Sequence, residues 1–449
     1  MKVKVINHSA EARTRERAQD TIKVHRNLDP ALHPMEKAVE YTRALNAAKL
    51  DRVFAKPFVA ALAHDDGITA LARSPTRLNC LLTATADGDV RVWDVAARRC
   101  LRRLVGHTGA VTGVAVAPSG DVAVSGGADA TIRLWRVPFA PFAGGPVERD
   151  ASPVVQWAPS GGVRSLDHHW ARAQFASSGA GVAVWDHARS EPLHAWEWGA
   201  DSVASVRFNP AEADLLASCG ADRAIALYDL RAATPLRKVV MQTRSNALCW
   251  NPMEAFRFTV ANEDNNLYTY DMRRLDCAVR VHEDFVSAVM DVDYAPTGRE
   301  FVAAGYDRSA RIFGADAGHS REVYTTKRMQ RVFACRFSGD GTYVFTGSDD
   351  MNVRVWKAQA AQQLGVTLPR ERQRAAYQAA LVERHRHLPE VRRIVEHRHV
   401  PKAILKAAKL KRTMLDAERR RTLNLMAHSR KGAVTIAPAR KRKILEVQE

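Results

Sequence analysis

The chain has 449 residues, 46% of them hydrophobic, and a formal net charge of +18, which suits one large repeat fold with extensions or two to three domains and excludes wholesale disorder. No stretch approaches the roughly 20 apolar residues that a membrane helix needs, and the opening MKVKVINHSA lacks the apolar segment of a secretory signal. The cysteines (Cys80, Cys100, Cys219, Cys249, Cys277 and Cys335) are scattered and form no C-x-x-C pair, so they read as apolar fillers in a protein of the reducing cell interior.

The charge is unevenly placed. Residues 357–449 hold 23 Lys and Arg against 8 Asp and Glu, and residues 1–56 hold 12 against 7. The middle of the chain is close to neutral. Such a division predicts a neutral scaffold with cationic arms for a polyanion or an acidic protein surface.

Residues 1–57 are expected to form an N-terminal extension. In it NLDPALHP reads as a Pro-marked turn, followed by a helix near Met35–Arg52 and a linker. Tyr41, Leu45, Ala48 and Val53 approximate a helical stripe suited to packing on the side of the next domain.

From residue 58 to 357 a phrase recurs: small residues, an aspartate, alternating apolar residues and an aromatic. TATADGDVRVWD and TGSDDMNVRVW are two copies. The aromatic anchors are Trp93, Trp135, Trp185, Tyr228, Tyr270, Phe313 and Trp356, separated by 42, 50, 43, 42, 43 and 43 residues. This is the period of a four-stranded propeller blade. The predicted fold is therefore all-β, a seven-bladed WD-repeat β-propeller with helical, basic N- and C-terminal extensions.

Six residues before an anchor stand Asp87, Asp129, Asp222, Asp264, Asp307 and Asp350. One per blade at a fixed spacing points to structural turns, where a carboxylate accepts backbone N–H groups, rather than to catalysis. The copy ending at Trp185 lacks the aspartate. His64, His107 and His282 precede Trp93, Trp135 and Phe313 at the distance expected for partial His–Ser/Thr–Trp networks. Phe58–Leu62 has strand character and is expected to close the ring onto the last blade, leaving no open edge. The long 50-residue interval before the third anchor contains VPFAPFAGGPVERDASP, a surface insertion.

Residues 358–449 are expected to be a basic helical extension. A helix should run from Thr367 to about His387, and Pro389 should open a short second one. After Pro401 a longer helix carries the stripe Ala403, Ala407, Leu410, Met414 and Ala417, one contact face by its spacing. Around it the residues selected for RNA or acidic-partner contact are Arg392, Arg393, Arg398, His399, Lys402, Arg412, Arg419, Arg420 and Arg421. The HRH pairs at 385–387 and 397–399 suit cationic and stacking contacts to RNA better than a metal site. Arg440, Lys441, Arg442 and Lys443 form a candidate nuclear import signal.

Several phrases are more specific than a generic propeller. They are RNLDPALHP, EYTRALNAAKLDRVFAKPF, LDHHW, WNPMEAFRFTVANEDNNLYTYDMR, REVYTTKRMQRV and VRRIVEHRHVPKAIL. Together they make nearly the whole chain resemble the suppressor-of-fibrillarin family of WD-repeat proteins. The resemblance implies a nucleolar, non-enzymatic assembly factor of the small-subunit processome. Its partners would be other processome proteins, the precursor of the small ribosomal RNA and U3 small nucleolar RNA. It also implies an alternative, because animal relatives are described as substrate receptors of a cullin-type ubiquitin ligase. That role would use an aromatic–Asp–x–Arg phrase, here Tyr228–Asp229–Leu230–Arg231 and Tyr270–Asp271–Met272–Arg273, with Asp229, Arg231, Asp271 and Arg273 facing the ligase adaptor. The chain has no G-x-x-x-x-G-K-[ST] loop, H-E-x-x-H helix or G-x-S-x-G elbow. No catalytic residue, cofactor, metal or small-molecule substrate is therefore expected.

Overall fold

The computed structural model describes residues 30–32, 34–137, 148–150, 152–197, 202–430, 433 and 437–448. The chain divides into two compact units, residues 57–358 with 398–449, and residues 1–56 with 359–397.

The first unit is the propeller. Seven antiparallel sheets follow one another in chain order, and the strand Phe58–Ala63 lies against Asn352–Lys357 of the last blade. Ala60 faces Val355 and Leu62 faces Val353 across that closure. The ring is thus sealed by its own N-terminal strand, as the sequence predicts. Two blades gain a fifth strand. Glu148–Asp150, from the insertion, runs parallel to Arg99–Leu104 of blade 1. Ile444–Gln448 runs antiparallel to Arg237–Met241 of blade 4. The rest of the insertion, residues 138–147 and 151, and most of RNLDPALHP lie outside the described residues.

The core lies between blades. In Asn352–Lys357, Val353, Arg354, Val355 and Trp356 are all buried, although alternate residues point to opposite faces; neighbouring blades cover both sides. Inner strands approach closely: a Cβ on Gly113 would lie 2.7 Å from the Leu166 backbone nitrogen of the next blade.

The recurrent aspartates have a clear local cause. The residue after each is left-handed: Gly88, Ala130, Arg223, Asn265, Arg308 and Met351 have φ of 95°, 54°, 65°, 71°, 64° and 63°. That conformation is costly for residues with a Cβ. Asp129, Asp222, Asp264 and Asp307 hold the turn by accepting the backbone N–H two residues on, at 3.1–3.2 Å. Asp350 instead takes the Arg354 guanidinium. Asp87 departs from the expected role. Gly88 needs no such help, Asp87 is exposed, and the buried carboxylate of blade 1 is Asp89, paired with Arg103.

Blade 2 contains a complete polar network. The Trp135 indole donates to Ser125 Oγ (2.8 Å), Ser125 pairs with His107 Nε2 (2.7 Å), and His107 Nδ1 meets Asp129 (3.0 Å). Asp129 only accepts, so the proton of the neutral His107 ring sits on Nδ1 and Nε2 accepts from the Ser125 hydroxyl. Blade 1 has a shorter version through His64, Thr83 and Trp93. His282 does not serve the Phe313 blade in this way. It sits on the outer strand Arg280–Glu283 of blade 5 and bonds Thr269 at 3.0 Å.

The second unit is helical. Helix α1 (Glu36–Val53) packs on α2 (Pro369–His385) and α3 (Pro389–Val395), the latter two each opening on a proline whose missing N–H costs nothing there. Ala44, Ala47 and Ala48 of α1 and Leu381 and Val391 of α2 and α3 are buried. The Tyr41 hydroxyl donates to Glu390, and Arg384 pairs with Glu40 at 3.1 Å. Tyr41 and Ala48 of the predicted stripe thus serve this bundle, whereas Val53 is exposed. No helix among the described residues is long and apolar enough to cross a membrane.

Candidate interaction surfaces

The propeller channel is lined by charged residues of the inner strands around a cavity of about 240 Å³. Those charges tie blades together. Asp167 accepts Phe208 N–H (2.7 Å) and Arg207 (3.3 Å) of the next blade. Asp291 accepts Cys335 N–H (3.0 Å) and Arg336 (2.8 Å), and Asp293 accepts Phe337 N–H (2.8 Å). Burial pushes the Asp167 carboxyl up against the pull of Arg207. Each of these three carboxylates is engaged in holding a neighbouring blade.

A second set of ties recurs just after the inner strands. His169 Nδ1 accepts the N–H groups of Ala171 and Arg172, and its Nε2 donates to Ala213 O at 2.9 Å. Asn209 accepts from Ala211 and Glu212 and donates to Ala255 O (2.8 Å). Asn251 accepts from Met253 and Glu254 and donates to Gly298 O (3.1 Å). Each caps its own loop and grips the loop of the following blade. His169 and Asn251 lie in the phrases LDHHW and WNPMEAF, and the recurrence of His or Asn directly after an inner strand is the sequence signal of this role.

The C-terminal segment of the propeller unit contains helix α4 (Lys402–His428). Just before it, Arg398 pairs with Asp284 and also donates to Ser320 O (3.0 Å) and Oγ (2.7 Å). Within α4, Lys411 Nζ donates to Phe285 O at 3.0 Å, and burial lowers its pKa. Beyond α4, Arg442 bridges back to Glu418, Ala278 N–H donates to Arg440 O, and Lys443 Nζ donates to Gln242 Oε1 (3.1 Å). Ile444 and Val447 then pack on the core between blades 4 and 5. The segment is pinned before, within and after its helix.

This placement sorts the residues selected from sequence. Arg398 is engaged with an acidic residue of its own chain, so it is an anchor and not a free cation. Arg392 is exposed and pairs with Glu396 at 3.0 Å; Arg393 and His399 are exposed. Lys402, Arg412, Arg419, Arg420 and Arg421 are exposed on α4, and Arg412 reaches Asp416 only at 4.0 Å. Arg440–Lys443 form a turn, with the Lys441 and Arg442 N–H groups donating to Pro438 O, and lead into a strand. The candidate import signal is thus folded against the ring. Sequence reasoning missed Asp284, Ser320 and Lys411 as anchors.

The two Asp–x–Arg phrases have matching geometry. Arg231 meets Asp229 through two bonds of 3.1 and 3.0 Å, and Arg273 meets Asp271 at 3.0 and 2.7 Å. The guanidinium of Arg273 also lies 4.0 Å from the centre of the Phe256 ring. Both arginine side chains remain well exposed, at 73% and 63%. The bonds lower the pKa of Asp229 and Asp271.

Comparison with known proteins matches residues 358–444 to a family profile described as a Sof1-like domain. WD-domain, G-beta repeat profiles match 57–94, 98–136, 277–314 and 319–357. The three blades without a profile match are those anchored by Trp185, Tyr228 and Tyr270. "DDB1- and CUL4-associated factor 13" of Xenopus laevis is 48% identical over 450 residues, covering 100% of both chains. The Homo sapiens protein of the same name is 46% identical over 448 residues, again covering 100% of both. "Protein SOF1" of Saccharomyces cerevisiae is 42% identical over 443 residues, covering 94% of this chain and 91% of the yeast protein. With a sealed seven-bladed ring, a matching C-terminal domain and relatives aligned along the full length, the chain belongs to the Sof1-like, or suppressor-of-fibrillarin, family of WD-repeat proteins.

Proposed function

We propose that the chain is a non-enzymatic assembly factor of the small-subunit processome in the nucleolus. It holds precursor ribosomal RNA and neighbouring processome proteins, beside U3 small nucleolar RNA. The observation that carries this reading is the exposed cationic face of α4, with Arg412, Arg419 and Arg420 on a helix whose flanks are fastened to the ring. Fastened cations lose less freedom on meeting phosphate than those of a loose tail, and each phosphate neutralised adds salt-dependent affinity. Deleting the whole extension is a poor test, because it supplies a blade strand. The better variant replaces Arg412, Arg419 and Arg420 with alanine. It should lose crosslinks to precursor ribosomal RNA and sediment away from processome particles while keeping its melting temperature. Unchanged crosslinks and sedimentation would defeat the proposal.

A second reading is a substrate receptor of a cullin-RING ubiquitin ligase. It is favoured by the exposed Asp229–Arg231 and Asp271–Arg273 pairs and by the names of the animal relatives. Arg231→Ala with Arg273→Ala should then abolish co-purification with DDB1. Absence of DDB1 from pull-downs of the native protein would remove this reading.

A further inference from the structure

Helix α4 is amphipathic, yet it does not present its apolar stripe to the ring that holds it. Successive residues of a helix are rotated by about 100°. Lys411, bonded to Phe285 O, marks the ring side, and the partly covered Ile404 and Ala408 share it. Ala403, Ala407, Leu410, Met414 and Ala417 lie roughly a quarter turn away. Leu410 and Met414 are 65% and 64% exposed. The helix cannot simply roll to bury them, because Arg398 and Asp284 fasten the chain before it, and Arg442–Glu418 with the Ile444–Gln448 strand fasten it behind.

We propose that this stripe is the docking face for an α-helix of another protein whose own apolar seam is bordered by aspartate and glutamate. This deepens the assembly-factor reading, on which it rests, by giving the chemistry of one protein neighbour. The 4-3-4-3 spacing is that of a seam that receives a second helix, with the large Leu410 and Met414 flanked by alanines. Lys406 borders the stripe on one side and is exposed, while Glu418 on its other border is taken by Arg442. The free charge beside the seam is therefore positive and selects an acidic partner. Leucine and methionine at the centre of the face give a protein helix contacts that a phosphate backbone lacks.

The test uses the full chain and three probes. Two are synthetic helical peptides with the same leucine seam, one bordered by glutamate and one by lysine; the third is a single-stranded RNA. The glutamate-bordered peptide should bind at least about tenfold more tightly than the lysine-bordered one. The double variant Leu410→Glu with Met414→Glu, which alters only exposed side chains, should lose that binding and retain its melting temperature and its crosslinks to precursor RNA. Equal affinity for the two peptides, or undiminished peptide binding by the double variant, overturns the proposal. So does competitive displacement of the peptide by RNA together with loss of RNA binding in the variant, which assigns the face to RNA. Loss of RNA crosslinks in the three-arginine variant, whose side chains lie off the seam, bears on the assembly-factor reading alone, so the two can fail separately.

Discussion

Arg398 and Asp284, 114 residues apart in sequence, meet where the C-terminal segment joins the rim of the propeller. Asp284 is mostly buried, which pushes its carboxyl pKa up. The Ser320 side-chain and backbone donors and the charge of Arg398 outweigh that and hold it below the usual carboxylate value. Arg398→Ala should cost about 1–3 kcal/mol and loosen α4 while the blades persist. Hydrogen exchange should accelerate at residues 402–411; unchanged protection there would show that this pair does not anchor the helix.

His169 is replaced in role by asparagine in the next two blades, so the native network itself suggests the conservative variant. His169→Ala should destabilise by about 1–3 kcal/mol, because the Ala171 and Arg172 N–H groups and Ala213 O lose their partner. His169→Asn should recover at least half of that loss. Denaturant unfolding of the three proteins decides it, and equal losses for both variants would refute the shared role.

Ser125 is the hinge of the blade 2 network, accepting from Trp135 and donating to His107. Ser125→Ala should cost about 1–3 kcal/mol, visible as a lower melting temperature and altered Trp135 fluorescence. Ser125→Thr keeps the hydroxyl and should cost less.

Acid should weaken the fold through its histidines. Burial lowers the pKa of His64, His168 and His282 from 6.5 to about 4. The unfolded chain takes up these protons first, so their contribution is complete above pH 6.5 and declines as pH falls from 6.5 toward about 4. The melting temperature should drop across that window by more than in His168→Gln, which removes one of the three. A flat profile would contradict the burial.

Deleting residues 440–449 removes the fifth strand of blade 4 and the Arg442–Glu418 bridge. Amides of Arg237–Met241 and of the C-terminal half of α4 should exchange faster. Protection unchanged at Arg237–Met241 would mean that the added strand does not cover that edge in solution.

Much of this was legible in the sequence because it is local or periodic. The anchors from Trp93 to Trp356 report the blades, and Phe58–Leu62 reports the closure by its strand character before the first repeat. Prolines 369, 389 and 401 marked the helix starts. What escaped depends on partners far along the chain. ILEVQ after RKRK reads as a tail; it becomes a strand because Arg237–Met241 leaves an edge to be paired. Arg398 resembled any other cation of a basic arm until Asp284 and Ser320 stood beside it. The stripe of α4 was evident from its spacing, but which way it faces was decided by Lys411, a residue counted among the charges.

Because Phe58–Ala63 completes the blade that ends at Lys357, the first of the described strands to leave the ribosome is among the last to find its place. A nascent chain must carry six blades with the Phe58–Ala63 strand unpaired and the apolar faces at the two ends of the open ring uncovered until the seventh emerges. An interrupted product would expose that strand and those faces to other chains. Synthesis of this protein should therefore depend on chaperones that shield β edges, and strains lacking them should accumulate it as aggregate rather than as a partly working ring.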